Sequence, residues 1–296
     1  MVRDLAVRAG NRAKLEMIER VPALHRLIQR QHEDQLRQYE PFARQLPPEA
    51  ERMVDGVREV GVHVSSLDEL ALPGTPQLKA GLETLSEALR RRAATMADET
   101  ARPSLEDLLA ESAVWQWGLN EPLLDLAELY LGLPARYYGA DLRMERASAR
   151  AVGVRQWHRD VEDHRMFKIL VWINDVDVDG GPFEYVPRSH TELLARQFRY
   201  VSGFVSDEDL ARVVPRSDWR QATGPTWTAV LSDTRSVFHR AMPPVARDRF
   251  SVTFTFTSRT PLTTLPTPRL TAAQRELATQ GLTDRQRASL LPAFLA

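Results

Sequence analysis

His158 and Asp160 stand two residues apart in Gln156-Trp157-His158-Arg159-Asp160. On an extended strand that spacing aims both side chains at the same face. An imidazole and a carboxylate sharing one space are two-thirds of the 2-His-1-carboxylate set that binds non-haem Fe(II) and leaves other coordination positions open. The chain has no cysteine, so disulfides and thiolate ligation are excluded, and the third ligand has to be His, Asp or Glu. His164, His190 and His239 are the candidates.

A second stretch carries complementary chemistry. After Ser232-Asp233-Thr234-Arg235-Ser236-Val237-Phe238-His239 comes Arg249-Phe250-Ser251-Val252-Thr253-Phe254-Thr255-Phe256. Arg249, Ser251, Thr253 and Thr255 fall on one face and the apolar residues on the other, the period-2 pattern of a strand half against a core. If the polar face looks into a cavity that holds a metal, Arg249 is an always-charged fork suited to a carboxylate, with Ser251 beside it as a second donor. An oxo-acid cosubstrate fits that description.

These residues resemble the phytanoyl-CoA dioxygenase-like branch of the Fe(II)/2-oxoglutarate oxygenases. Four segments carry the resemblance in order: Trp157 to Asp160, Phe167 to Val176, Gly181-Pro182-Phe183-Glu184-Tyr185-Val186-Pro187-Arg188-Ser189-His190, and Asp233 through His239 to Arg249. The resemblance implies an α+β fold with a double-stranded β-helix core (jelly roll, cupin-like) flanked by N-terminal and C-terminal helices. It implies Fe(II) held by His158, Asp160 and His239, which favours His239 over His164 and His190. It further implies 2-oxoglutarate on two open positions, its far carboxylate held by Arg249 and Ser251, and O₂ on the last.

Lys168 matches a lysine common in this branch and is a candidate contact for a cosubstrate or substrate carboxylate; Arg143 is a weaker one. The implied reaction releases succinate and CO₂ while hydroxylating, or otherwise oxidising, a small molecule of the kind met in secondary metabolism. Asp160 argues against the open halide site of related halogenases. Arg188 stands where the branch usually has glycine, Ser232 precedes Asp233 where an apolar residue or Gly is common, and Met242-Pro243-Pro244 replaces a more polar turn. These departures bear on loop shape and substrate. Two other classes share parts of the pattern: a cupin-like metal-dependent isomerase or lyase, which has no use for Arg249, and a non-catalytic jelly-roll binding protein.

The rest of the chain must position these groups. With 296 residues and 43% hydrophobic content it can bury an ample core. A formal charge of −1 gives no general pull toward nucleic acid or an anionic membrane. The amino terminus lacks the apolar core of a signal peptide, and no apolar run approaches the ~18 residues of a membrane span. The expectation is a cytoplasmic protein acting on a small molecule. It would form one domain over residues 1–296: a mainly helical part to 135, a catalytic core over 136–260, and C-terminal helices over 261–296.

Leu24, Leu27, Ile28, Leu36 and Phe42 recur at helical spacing after Pro22, and His25 and His32 read as helix-surface or packing residues. Val60, Val62 and Val64 alternate ahead of a turn at Leu72-Pro73-Gly74. Leu78, Leu82, Leu85, Leu89 and Met96 mark a helix with Arg90, Arg91 and Arg92 on its solvated side. Ser104 and Asp107 read as a capping box opening one or two helices over 105–131, with Trp115 and Trp117 as core or interface residues ahead of a substrate contact.

From Tyr137 the pattern is that of strands. Phe167, Ile169, Val171 and Ile173 share one face, and Lys168, Leu170 and Trp172 the other. Asp175 to Gly181 reads as a polar hairpin turn, since no glutamate closes a calcium loop. Residues 191–226 are long for a connection and read as a lid, whose Phe198, Tyr200, Phe204 and Trp219 either close over a substrate or pack on the rim. Two similar helical runs open at Leu270-Thr271 and Leu282-Thr283.

Overall fold

A computed structural model of the chain describes residues 2–39, 46–94, 98–148, 150–263 and 269–295; Phe42 and Met96 lie outside them. The described residues contain nine strands: β1 (Val62–Ser66), β2 (Thr100–Ala101), β3 (Ala135–Glu145), β4 (Phe167–Trp172), β5 (Phe183–Tyr185), β6 (Arg220–Ala222), β7 (Thr228–Ser232), β8 (His239–Ala241) and β9 (Arg249–Ser258). Six form one antiparallel sheet in the order β1-β7-β4-β9-β3-β2, and three form a smaller antiparallel sheet in the order β6-β5-β8. The observed class is therefore mixed helix and antiparallel sheet.

The alternation read in β9 and β4 decides what the larger sheet does. Phe250, Val252, Phe254 and Phe256 of β9 and Phe167, Ile169 and Val171 of β4 are buried in one core with Leu78, Leu82, Leu85 and Leu89, which lie on the helix Thr75–Ala93. Trp117 meets Phe254 with ring centroids 4.8 Å apart, and Tyr137 meets Phe256 at 5.3 Å. Burial of that apolar face fixes the register, because a slip of one residue would turn every side chain over. The polar face is thereby committed to the opposite side.

Across that polar face Arg249 lies opposite Glu145, Ser251 opposite Arg143 and Trp172, Thr253 opposite Asp141 and Leu170, and Thr255 opposite Lys168. These residues line a cavity that also takes Phe183, His239 and Ala241 from the smaller sheet. The cavity thus lies between the two sheets.

Residues 105–131 form three helices, Leu105–Ala110, Ser112–Trp117 and Glu121–Leu131, rather than one or two. The extra break is at Glu111, whose ψ of 69° leaves the helical region. The capping box of Ser104 and Asp107 is present. Gly118 ends the second helix against Tyr137: a Cβ there would lie 2.4 Å from the ring, so no larger residue fits without moving it. Trp115 and Trp117 are core residues, their indole N–H groups donating to Ala278 O and Thr75 Oγ1. The first of these bonds ties a C-terminal helix to the core. The two C-terminal runs look alike because each opens on a Thr/Gln capping box, Thr271 with Gln274 and Thr283 with Gln286.

Toward the N-terminus, Pro22 opens the helix Pro22–Tyr39 as expected, and Arg90, Arg91 and Arg92 are all exposed. No helix among the described residues is long and apolar enough to cross a membrane.

Segment 191–226 is not one open loop. It contains the helices Thr191–Gln197 and Asp207–Val213 and the strand β6, which pairs with β5. Phe198, Tyr200 and Trp219 pack on a separate cluster around Trp157, Val186 and Phe238, while Phe204 is 53% exposed. Of the four aromatics, only Phe204 lines the cavity. In the 175–181 turn two of the three acidic residues have partners: Asp175 accepts from the Thr226 N–H and hydroxyl, and Asp177 pairs with Arg247.

One buried ion pair closes the edge of the cavity. Arg155 lies 2.7 Å from Glu145, both side chains 1% exposed. Breaking a buried pair strands the remaining charge, at about 3–5 kcal/mol. Arg155→Met is therefore expected to lower unfolding stability by about that amount in urea titrations, and a change below about 1 kcal/mol would contradict the assignment.

Candidate metal centre

Backbone pairing brings the two histidines together. His158 and His239 form an isolated antiparallel bridge, each N–H donating to the other's carbonyl at 2.9 Å. Antiparallel partners directly opposite each other project side chains to the same face, and the two imidazole centroids lie 4.3 Å apart. Asp160 is held by its own N–H, which donates to Thr234 O at 3.0 Å. That places it against the turn between β7 and β8, where buried Asp233 accepts from the Tyr130 hydroxyl and from the N–H groups of Met166 and Arg235. One ligand atom from each of His158, Asp160 and His239 lies within 4.8 Å of the others.

The histidine tautomers suit a cation. His158 Nδ1 is 2.8 Å from Gln156 O, and His239 Nδ1 is 3.2 Å from Val237 O. A carbonyl can only accept, so in each neutral ring the proton sits on Nδ1 and the Nε2 lone pair is free, the arrangement that carbonyl partners impose on metal-binding histidines. Burial lowers both imidazole pKa values, His239 to about 3 with the neighbouring His158 adding to the effect. Both rings are therefore neutral near pH 7. Burial by itself would push the Asp160 carboxyl upward, but the Lys168 ammonium, which donates to it, outweighs that and holds the group well below the usual carboxylate range. Two neutral imidazoles and one carboxylate result, a donor set that fits Fe(II).

The alternative third ligands lie elsewhere. His190 faces Asp218 at 3.9 Å. His164 stacks on His32, centroids 4.0 Å apart and nearly parallel. Burial lowers the pKa of both, and that of His164 falls to about 3 with the charge of His32 contributing.

That stack predicts an acid-sensitive fold. The unfolded imidazole takes its proton near its ordinary pKa of 6.5, whereas folded His164 does so only near 3. Stability present above pH 6.5 is therefore lost as the pH falls through that window. The midpoint temperature of the metal-free protein should drop between pH 7 and pH 5, and His164→Phe should flatten the drop. An unchanged pH profile in that variant would refute the explanation.

The cavity measures about 510 Å³. At one end Arg249 is 3% exposed. Its Nη1 donates to Met242 O at 3.1 Å, its guanidinium lies 5.6 Å from the centre of the Trp172 ring, and its Nε has no hydrogen-bond partner. Among the described residues no carboxylate pairs with it. Burial lowers its pKa to about 10, so it is charged at neutral pH. Ser251 lies two residues along the same face, also buried.

Lys168 lines the cavity but is already engaged, its Nζ donating to Asp160 Oδ2 at 2.5 Å. Asp160 Oδ1 faces His158 Nε2 at 3.9 Å, so the lysine and the imidazole sit on different oxygens. Arg143 donates through Nε and Nη2 to Asp141, which also accepts from Arg102. Arg188, the departure from glycine, reaches out of the turn to donate to Arg58 O.

Glu162 and Thr234 also line the cavity and were not among the residues the sequence singled out. Both lie in irregular segments, where no period marks a face.

No protein-family model matches this chain, and no curated protein matches it. Solved structures do. EctD from S. alaskensis in its apoform is 17% identical over 73% of this chain and 80% of its own, with a TM-score of 0.53. AviO1 from Streptomyces viridochromogenes Tue57 is 18% identical over 76% of this chain and 100% of its own, with a TM-score of 0.52. EctD has also been crystallised with bound Fe, and with 2-oxoglutarate and 5-hydroxyectoine. At such identities the likeness is one of fold, and this chain is similar in fold to EctD and AviO1 over about three-quarters of its length.

Proposed function

We propose that the protein is an Fe(II)/2-oxoglutarate-dependent oxygenase of the phytanoyl-CoA dioxygenase-like kind, hydroxylating a small molecule. In this reading the two sheets are the halves of a double-stranded β-helix, and the helical parts 1–135 and 261–296 pack on it to make one domain. The observation that carries the proposal is Arg249. A buried guanidinium without a carboxylate partner is costly, and here it faces the same cavity as a His-Asp-His cluster. A dicarboxylic acid spanning the two satisfies both.

His158 and His239 through Nε2 and Asp160 through Oδ1 would hold the iron, which when bound supplies the redox chemistry coupling decarboxylation of 2-oxoglutarate to oxidation of the substrate. Arg249 and Ser251 receive the far carboxylate of the 2-oxoglutarate and fix its direction. Lys168 keeps Oδ2 of Asp160 occupied, so that one oxygen is presented to the metal. That EctD has been crystallised with Fe and with 2-oxoglutarate is consistent with this reading.

Succinate release from 2-oxoglutarate, with Fe(II) and ascorbate and without any substrate, is the direct test. Release abolished by a chelator is expected. Metal uptake without 2-oxoglutarate affinity would favour an isomerase or lyase, and neither would favour a binding protein.

The contact between Lys168 and Asp160 makes a separate prediction. Partners that orient a metal ligand are worth about 10- to 100-fold in metal affinity. Lys168→Met should weaken Fe(II) binding by that factor and leave the affinity of the metal-saturated protein for 2-oxoglutarate within about twofold. The opposite pattern in calorimetric titrations would return Lys168 to the cosubstrate.

A further inference from the structure

The cationic side chains lining the cavity are already assigned: Arg143 to Asp141, Lys168 to Asp160, and Arg249, in the reading above, to the cosubstrate. None is left to anchor an anionic substrate. What remains unmatched is of another kind. Thr234 is 2% exposed, lines the cavity, and its Oγ1 has no hydrogen-bond partner. Its carbonyl receives the Asp160 N–H, which fixes the residue's backbone next to Asp160.

Glu162 lies two residues beyond Asp160 and lines the same cavity. Its Oε2 accepts from the Val161 N–H at 2.9 Å, and no cation pairs with it among the described residues. Ser232 and Thr255, both opposite Lys168 in the sheet, add two more hydroxyls to this end. Over it stand Val154 and Phe204, which is 53% exposed with its ring 5.7 Å from that of His158.

We propose that this Asp160 end of the cavity, formed by Thr234, Glu162, Ser232 and Thr255 under Phe204, is the subsite for the oxidised substrate, and that it takes an uncharged, hydroxyl-bearing molecule. The proposal rests on the oxygenase reading. A hydroxyl both donates and accepts, so it can meet the orphaned Thr234 hydroxyl and the Glu162 carboxyl together. A buried polar group left unpaired discriminates strongly against ligands that cannot match it. Phe204 and Val154 supply the apolar cover that a ring with C–H faces would use. An acyl coenzyme A thioester, by contrast, brings phosphates for which the lining holds no free cation.

The test uses the full chain loaded with Ni(II) and 2-oxoglutarate, a form that binds without turning over. Failure to take up Ni(II) or 2-oxoglutarate would overturn the oxygenase reading before the substrate question is reached. Saturation-transfer NMR then compares myo-inositol, glucose and N-acetylglucosamine with choline and glycine betaine, and with octanoate and octanoyl coenzyme A. Binding confined to the hydroxylated set is expected. It should weaken about tenfold in Thr234→Val and again in Glu162→Gln, with circular dichroism confirming the fold of each. The inference is overturned if no hydroxylated probe binds, if the anionic or cationic probes bind instead, or if binding is indifferent to both substitutions.

Discussion

Asp160→Ala is expected to weaken binding of Fe(II), or of Ni(II) in its place, by at least about hundredfold and to bring 2-oxoglutarate-dependent succinate release to background. The reasoning is electrostatic as well as geometric. Asp160 is the anionic member of the cluster, held ionised by the Lys168 ammonium. Removing it leaves two neutral imidazoles beside an uncompensated ammonium, which repels a divalent cation. His239→Ala should be comparably damaging, because its imidazole is fixed across from His158 by the backbone bridge. His164→Ala should leave metal affinity unchanged, since that ring is stacked on His32. Calorimetric metal titration with parallel succinate assays reads all three. A His164 variant that loses the metal, or an Asp160 variant that keeps it, would dismantle the proposed centre.

What could be read from the sequence divides along a physical line. Periodicity is local, so β4 and β9 disclosed which side chains face the cavity, and Arg249, Ser251, Lys168 and Trp172 all line it. The capping box at Ser104 and the helix starts at Thr271 and Thr283 were legible for the same reason. Convergence is not local. Nothing within residues 156–160 says that His239 is their partner. The resemblance suggested it, and the bridge between His158 and His239 brings the rings together.

Lys168 shows the limit from another side. Its face was readable but its partner was not, because the choice between Asp160 and a ligand depends on a neighbour eight residues away across an irregular loop. Segment 191–226 looked like one loop because helices of seven residues and a strand of three are too short to establish a period. Glu162 and Thr234 escaped notice because they are polar residues in connecting segments, where polarity is the ordinary condition.

Arg249→Leu is expected to separate two properties that most active-site substitutions change together. In the protein without ligand this guanidinium is buried, its Nε unpartnered and no carboxylate in direct contact with it, Glu145 acting on it only from across the sheet. Replacing it by an apolar side chain removes a desolvation penalty, while the carbonyl of Met242 loses a donor and Trp172 loses a cation at 5.6 Å. A hydrogen bond is worth about 0.5–1.5 kcal/mol and a cation–π contact about 0.5–1 kcal/mol, whereas an unpaired buried charge costs several. The balance favours a metal-free variant as stable as the parent, or more so.

Affinity for 2-oxoglutarate should move the other way. Charge-assisted hydrogen bonds from a guanidinium to a carboxylate contribute about 1.5–3 kcal/mol, so the dissociation constant should rise by about hundredfold, with metal affinity unchanged. Arg249→Lys, which keeps the charge but not the fork, should recover only part of the loss. Urea unfolding of the metal-free protein and calorimetry of the Ni(II)-loaded protein give the two readings independently. Lost stability with unaltered 2-oxoglutarate affinity would make Arg249 a structural residue; retained stability with lost affinity requires that its missing partner be the ligand.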